Sequence, residues 1–260
     1  MPTFESVEYS CANQVATISL NRPEARNAFN TQLRQDLIAA INYANQSSDA
    51  RIVVITGAGK GFCAGHDLSD GTGDFELTSQ LIENEYRAFL DGIYNSDKLY
   101  ISAVNGAAAG IGGALAMCCD FTVMAESAYI YQAFLPVGLV PDGGATWHLA
   151  RTLGYKRALQ IIIEAEKIYG AQCVELGLAN KVVPDEELLS AANAWALKLA
   201  KGAPIPQRLS KRLLQQAMTT DLSTAISAEA SVQDECVASK DSQIAIDAFF
   251  AKTKPVFTGE

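Results

Sequence analysis

The chain has 260 residues, a formal net charge of −9 from 20 basic and 29 acidic side chains, and 49% hydrophobic residues. That apolar content suffices for one large core, or a core with a small second unit, and the acidic balance speaks against a general nucleic-acid binder. No run approaches the ~20 uncharged apolar residues of a membrane span, and the opening MPTFESVEYS has neither the basic region nor the apolar stretch of a secretory signal.

Segment 5–20 alternates like a hairpin, with FESVEYS and VATISL on either side of a polar CANQ, and Asn21-Arg22-Pro23 ends it. Asn30 or Thr31 is placed to cap a helix in which Leu33, Leu37 and Ile41 fall four apart on one face. RIVVIT (51–56) predicts a buried strand, and the glycines at 57, 59, 61 and 65 predict a loop after it. A helix is expected over 75–95, with Leu77, Leu81, Phe89 and Ile93 on one side. YISAVN (100–105) reads as a strand running through a glycine-rich turn into a helix, and FTVMA (121–125) and AYIYQ (128–132) read as two more strands. A helix starts near Asp142, another spans 155–166, ANKVV (179–183) is a strand, and no strand is expected from 185 to 252. Gly202-Ala203-Pro204 breaks that last helical stretch. Alternation of strands and helices up to residue 183 makes this an α/β chain of stacked parallel units with a helical C-terminal part. The six cysteines, Cys11, Cys63, Cys118, Cys119, Cys173 and Cys236, keep no disulfide or zinc spacing, so a reduced, cytoplasmic chain is expected.

Two stretches share one form, an apolar strand followed by a glycine-rich turn: RIVVITGAGKGFCAGHDL and YISAVNGAAAGIGGALAMCCD. Gly110 to Gly113 lead into an apolar helix, where free N–H groups and a dipole end collect. Two such turns facing each other could aim two main-chain donors at one oxygen; each alone could equally be a tight connection. Dinucleotide binding rests on weaker ground. Gly57-x-Gly59 continues to Phe62 and Gly110-x-Gly112 to Leu115, so neither completes G-x-G-x-x-G. Lys60 is followed by Gly61, which breaks a P-loop. There is no G-x-S-x-G, and His66 and His148, the only histidines, have no ligand spacing, so no metal is expected. In LVPDGGATW (139–147), Asp142 is the only charge between Glu126 and Arg151. It reads either as a helix N-cap or first-turn acid, or as a base in an apolar pocket.

The motifs FCAGHDL (62–68), AVNGAAAGIGGALAMCCD (103–120), LPVGLVPDGGATWHLARTLG (135–154) and GLANKVV (177–183) resemble the enoyl-CoA hydratase/isomerase (crotonase) family. NRPEARNAFN (21–30) and FFAKTKPVFTG (249–259) fit as well, so the resemblance spans essentially the whole chain in the family's order. Within the family, the enoyl-CoA isomerases are the most similar, both the phenylacetate-pathway isomerase and the Δ3,Δ2-enoyl-CoA isomerases. The resemblance implies a spiral of stacked ββα units over 1–200 carrying an acyl-CoA site, and a C-terminal helical region over 201–260 that mediates homotrimers or dimers of trimers. The substrate is an acyl-CoA thioester, so coenzyme A is part of the substrate and no other cofactor is implied. By motif position, the main-chain N–H groups of His66 and Ile111, beside Ala64-Gly65 and Gly110, form the oxyanion hole. The substrate runs along Ala25, Arg26 and the segment holding Asp67 and Leu68, and Phe249 and Lys252 reach the nucleotide of a neighbouring subunit. Asp67 is expected to brace its loop, Asp120 to be a buried hydrogen-bonding acid, and Tyr129 and Tyr131 to pack or to line the acyl pocket. The loop 69–75, SDGTGDF, is expected to be mobile and to cover the acyl chain.

One departure carries information. Hydratases of the family use two glutamates, and at the matching positions this chain has Ala114 and Phe134, which hold no proton. In related isomerases a single acid follows directly after the position of Pro141, and Asp142 matches it. The implied activity is an isomerase that moves a C=C by 1,3-proton transfer through a thioester enolate. The alternatives are a hydratase with relocated acids, Asp142 with Asp70 or Asp74, a catalytically silent CoA-binding subunit, and an NAD-binding oxidoreductase.

Overall fold

The computed structural model describes residues 2–70 and 78–260. Two sheets are threaded by the same chain. The larger holds, in order, β1 (Val7–Ala12), β2 (Val15–Leu20), β3 (Ile52–Gly57), β5 (Leu99–Val104), β7 (Phe121–Ala125) and β10 (Lys181–Val183). The smaller holds β4 (Gly61–Cys63), β6 (Ala107–Ala109), β8 (Tyr129–Tyr131) and β9 (Lys167–Tyr169). β1 pairs antiparallel with β2, and β8 with β9; the remaining neighbours are parallel. Each coil of the spiral therefore lays one strand in each sheet, β3 then β4, β5 then β6, β7 then β8. The α/β expectation of stacked parallel units holds.

The inner strands β3 and β5 of the larger sheet are buried on both faces, as continuous apolar runs such as IVVI and YISAV require in a parallel sheet. The smaller sheet is what the glycine spacing concealed. Gly61–Cys63 was expected to be loop and is strand β4, and β6 and β9 are equally short. Gly-Phe-Cys and Ala-Ala-Ala lack the β-branched and aromatic residues that mark the equally short β8. β9 pairs antiparallel with β8, as β1 does with β2 in the larger sheet.

Helix α1 (Thr31–Gln46) is capped by the Asn30 side chain, which accepts from the Leu33 N–H at 2.9 Å, and it buries Leu33, Leu37 and Ile41. The helix expected over 75–95 is α2 (Thr78–Leu81), a π-helical turn Ile82–Tyr86 and α3 (Arg87–Tyr94). Its first residues, Leu77 among them, lie outside the described residues, as do Asp74 and most of the 69–75 loop. α4 (Ile111–Cys118) is buried along nearly its whole length. The two helices expected around 142–166 are one element, α5 (Ala145–Glu164), with a non-helical break at Gly154. α6 (Gly170–Glu175) and α7 (Leu188–Ala200) follow.

The C-terminal helices are α8 (Pro204–Ala217), α9 (Leu222–Ala238) and α10 (Lys240–Ala251). α8 is anchored by Lys211, whose Nζ donates to the carbonyl of Ile93 at 2.9 Å and to Asp120 Oδ2 at 3.1 Å. α9 buries no side chain within the chain, and Leu222 and Ile226 on it are exposed. Among the described residues no helix is long and apolar enough to cross a membrane.

Candidate active site

β4 and β6 are parallel neighbours, with Gly61 beside Ala107 and Cys63 beside Ala108. Parallel register brings the ends of both strands to one edge, so the turn 64–67 lies against the turn at Gly110–Ile111. The approach is close. A Cβ on Gly65 would meet the Ala109 carbonyl oxygen at 3.0 Å, and one on Gly112, in the first turn of α4, would lie 2.5 Å from the Cys63 carbonyl oxygen. A side chain at 112 would drive the turns apart.

The turn 64–67 is sewn to the 26–29 segment. The Ala64 N–H donates to Arg26 O at 3.0 Å, the Phe29 N–H to Gly65 O at 2.7 Å, and the Asp67 N–H to Phe29 O at 3.0 Å. Between these bonds the His66 N–H has no acceptor among the described residues, nor does the Ile111 N–H at the start of α4. Two unused donors on adjacent turns are an arrangement able to hold one oxygen. Ala25, Arg26, Ala64, Gly65 and His66 are thus brought together with Gly110 and Ile111. Asp67 pairs with Arg22 at 2.9 Å and accepts from the Ser69 hydroxyl; that hydroxyl, ahead of the arginine, holds its carboxyl below the usual range. Leu68 is exposed. Asp70 accepts from the Thr31 N–H at 2.7 Å and pairs with Arg34 at 3.1 Å, and Arg34 also binds Glu85 at 2.5 Å.

The chain reaches Asp142 from β8. The Gly110 N–H donates to Tyr131 O at 2.9 Å, and Phe134, buried, sets its ring over Gly110. Asp142 is not a helix cap. α5 begins at Ala145, its N-cap is Gly144, and no side chain caps it; only the Asp142 carbonyl takes part, accepting from the Ala145 N–H at 3.0 Å. Asp142 Oδ1 is buried without a hydrogen-bond partner among the described residues. Burial raises its pKa from 3.8 to about 6. Gly143, the next residue, packs on Ile111 and Ala114. The Asp142 charge also reaches Tyr86, whose phenol is pushed up first by burial and then by that carboxylate. The Tyr86 hydroxyl lies 2.7 Å from Nδ1 of His66. The residue after Asp142 thus packs on Ile111, and the Asp142 charge is felt at Tyr86, the partner of His66.

A cavity of about 440 Å³ opens beyond Gly143–Gly144, walled by Ile82, Leu90, Tyr94, Trp147 and His148. His148 is held neutral there, burial and then Arg151 lowering its pKa to about 4. Tyr129 and Tyr131 are partly buried, and Tyr129 stacks edge-on to Tyr169 at 5.6 Å. Phe249 and Lys252 stand apart from this cluster on the exposed end of α10, which packs chiefly on α9. Tyr86 is the site residue that sequence reasoning missed. Its only signal was its place midway between Ile82 and Leu90 on one helix face, which makes a buried hydroxyl.

The family model for enoyl-CoA hydratase/isomerase matches residues 10–260. The chain belongs to the enoyl-CoA hydratase/isomerase family. A Rhodobacter capsulatus protein named "Probable enoyl-CoA hydratase" is 36% identical over 99% of both chains. The 1,2-epoxyphenylacetyl-CoA isomerase of Escherichia coli is 35% identical over 95% of both. The enoyl-CoA hydratase of Bacillus anthracis, a crystal structure, superposes with a TM-score of 0.94 at 30% identity, over 98% of this chain and 100% of the other. The spiral fold is thus the fold of this family, and relatives named for both reactions share it.

Proposed function

We propose that this family member is an enoyl-CoA isomerase that moves a C=C by 1,3-proton transfer through a thioester enolate. The observation that carries the reading is the buried, unpartnered Oδ1 of the half-buried Asp142, together with the absence of an acid at Ala114 and Phe134. In this reading the N–H groups of His66 and Ile111 receive the thioester oxygen. Asp142 removes a proton from C2, and the C2–H electron pair moves into the C1–C2 bond as charge gathers on oxygen. The dienolate then takes the same proton back at C4, which leaves the double bond conjugated with the carbonyl. A carboxylate with a pKa raised to about 6 is a stronger base than a solvated one and is still ionised at neutral pH. Phe134, buried and seated over Gly110, brings an apolar ring beside the Ile111 turn in place of a second acid, which favours proton return over water addition.

Coenzyme A, part of the substrate, runs along Ala25–Arg26 and residues 64–68, and the acyl tail points toward the cavity beyond Gly143–Gly144. The unburied apolar face of α9 supports assembly into a trimer or a dimer of trimers, in which Phe249 and Lys252 are offered to a neighbouring subunit.

The names of several relatives favour a second reading, hydration with relocated acids. Asp70 is already committed to Arg34 and Thr31, which leaves Asp142 without a second acid among the described residues of that scheme. The deciding experiment follows absorbance of the conjugated product from a 3-enoyl-CoA, with wild type and Asp142→Asn. Isomerisation by wild type and a loss of ~10²–10⁴-fold in the variant are expected. Rapid hydration of crotonyl-CoA, undiminished in Asp142→Ala, would overturn the isomerase.

A further inference from the structure

His66 contributes two things to one place: a main-chain N–H with no internal acceptor, and a ring whose Nδ1 lies 2.7 Å from the Tyr86 hydroxyl. Tyr86 is 2% exposed. It closes the π-helical turn Ile82–Tyr86, in which the Arg87 N–H reaches back to Ile82 O. Such turns insert one residue and re-aim the side chains around them. The Tyr86 ring is wedged against Phe29 and Phe89, with centroids 6.2 and 5.9 Å away. Phe29 is the residue whose main chain grips both sides of the His66 peptide, through Gly65 O and the Asp67 N–H. Helix, aromatic wedge and turn form one connected body: the hydroxyl–imidazole bond links the helix directly to the turn, and Glu85 reaches the Phe29 carbonyl through Arg34.

We propose that Tyr86 is a positioning residue: its hydroxyl donates to Nδ1 of His66 and so holds the peptide whose N–H faces the substrate oxygen. The inference rests on the reading of His66 as an oxyanion donor. A phenol is a better donor than a neutral imidazole N–H, and an imidazole lone pair is a better acceptor than a phenol oxygen. The bond therefore selects the tautomer with its proton on Nε2. Burial, reinforced by Arg34, lowers the ring's pKa, which favours the neutral imidazole able to accept from the phenol. Without the hydroxyl, the ring is released and a glycine-containing turn loses its tie to the helix. Displacement of such a donor by a fraction of an ångström weakens transition-state charge stabilisation far more than ground-state binding.

The test uses the full chain and Tyr86→Phe, with 4-(dimethylamino)cinnamoyl-CoA as a probe whose absorption moves to the red when its carbonyl oxygen accepts hydrogen bonds. The expected result is a red shift in wild type that is cut to a fraction in Tyr86→Phe, with probe affinity nearly unchanged. Turnover of 3-enoyl-CoA falls ~10-fold with KM little altered, less than the ~10²–10³-fold of deleting a donor outright. His66→Gln, whose side-chain oxygen can accept from the phenol, keeps more of the red shift than His66→Ala, and adding Tyr86→Phe to His66→Ala costs nothing further. The two histidines make ring ¹⁵N spectra simple, with His148→Gln assigning the second, and His66 shows the Nε2–H form in wild type. A complete red shift and full turnover in Tyr86→Phe overturns the proposal, as does an Nδ1–H tautomer. Absence of any red shift in wild type removes the oxyanion reading and this inference with it. A wild-type red shift without isomerisation removes only the assigned reaction and leaves the Tyr86 comparison intact.

Discussion

Gly143 lies so close to Ile111 that a Cβ at position 143 would overlap the Ile111 Cδ1, and it would also sit 3.0 Å from the Ala114 Cβ. The residue after the proposed base is thus seated on the helix turn that carries one proposed oxyanion donor. Its φ of +58° adds a conformational demand that alanine meets poorly. Gly143→Ala is expected to cost more than ~1 kcal/mol of stability. It is also expected to lower kcat by more than the stability loss explains, because Asp142 and Ile111 are pushed apart. Urea denaturation and steady-state kinetics check both.

As the proposed base, Asp142 is expected to set the acid limb of the pH profile. The base must be ionised, and its pKa is raised to about 6. kcat/KM is expected to fall tenfold per pH unit below about 6 and to be flat above it. A midpoint near the value of a solvated carboxylate would place Asp142 in bulk water.

The same burial affects stability with a definite sign. A folded-state pKa above the unfolded value of 3.8 means that the favourable contribution is complete below 3.8 and is lost as pH rises through about 6. At pH 8 the ionised carboxylate therefore weighs against the fold by ~1–3 kcal/mol, discounted for its partial solvent access. Asp142→Asn is expected to gain stability relative to wild type between pH 4 and pH 8 by that amount, while losing activity. Denaturation curves at the two pH values measure it.

Lys211 and Asp120 couple α8 to the spiral. Burial raises the Asp120 carboxyl, and Lys211 is the main opposing influence. Its Oδ2 also accepts from the Tyr100 N–H at 2.8 Å. Lys211→Met strands that carboxylate and is expected to cost ~3–5 kcal/mol. Asp120→Asn added to it recovers part of the loss, read from unfolding midpoints.

The exposed apolar residues of α9 lead to an oligomer prediction. Leu222 is 77% and Ile226 55% exposed. Sedimentation velocity is expected to give trimers or hexamers for wild type and smaller species for the double variant Leu222→Asp/Ile226→Asp. A monomeric wild type would remove the assembly reading.

Much of the fold was legible because long apolar runs and four-residue spacing report burial directly, as in IVVI of β3 and Leu33, Leu37 and Ile41 of α1. The short strands β4, β6 and β9 were not: β8, equally short, shows its aromatic and β-branched YIY, whereas GFC of β4 and AAA of β6 look like glycine-rich turn and helix, and KIY of β9 follows directly on a helical stretch. Asp142 stood out as a lone charge in an apolar stretch, yet its sequence allowed a helix cap equally well. Only the start of α5 at Ala145 set that reading aside.

Strand–helix alternation by itself gave the stacked parallel units, motif order gave the resemblance that implies the family and its spiral, and residue types gave the lack of acids at Ala114 and Phe134, since these depend on what is written along the chain. What lies across the chain was decided by the tertiary structure: the Tyr86 hydroxyl against His66, Gly143 against Ile111, and a carboxylate left without a partner. These side chains, twenty or thirty residues apart, meet because the fold lays a helical turn and the segment before α5 against the turns at the ends of β4 and β6. The solvation of an acid is fixed by what surrounds it in space, which no local pattern encodes.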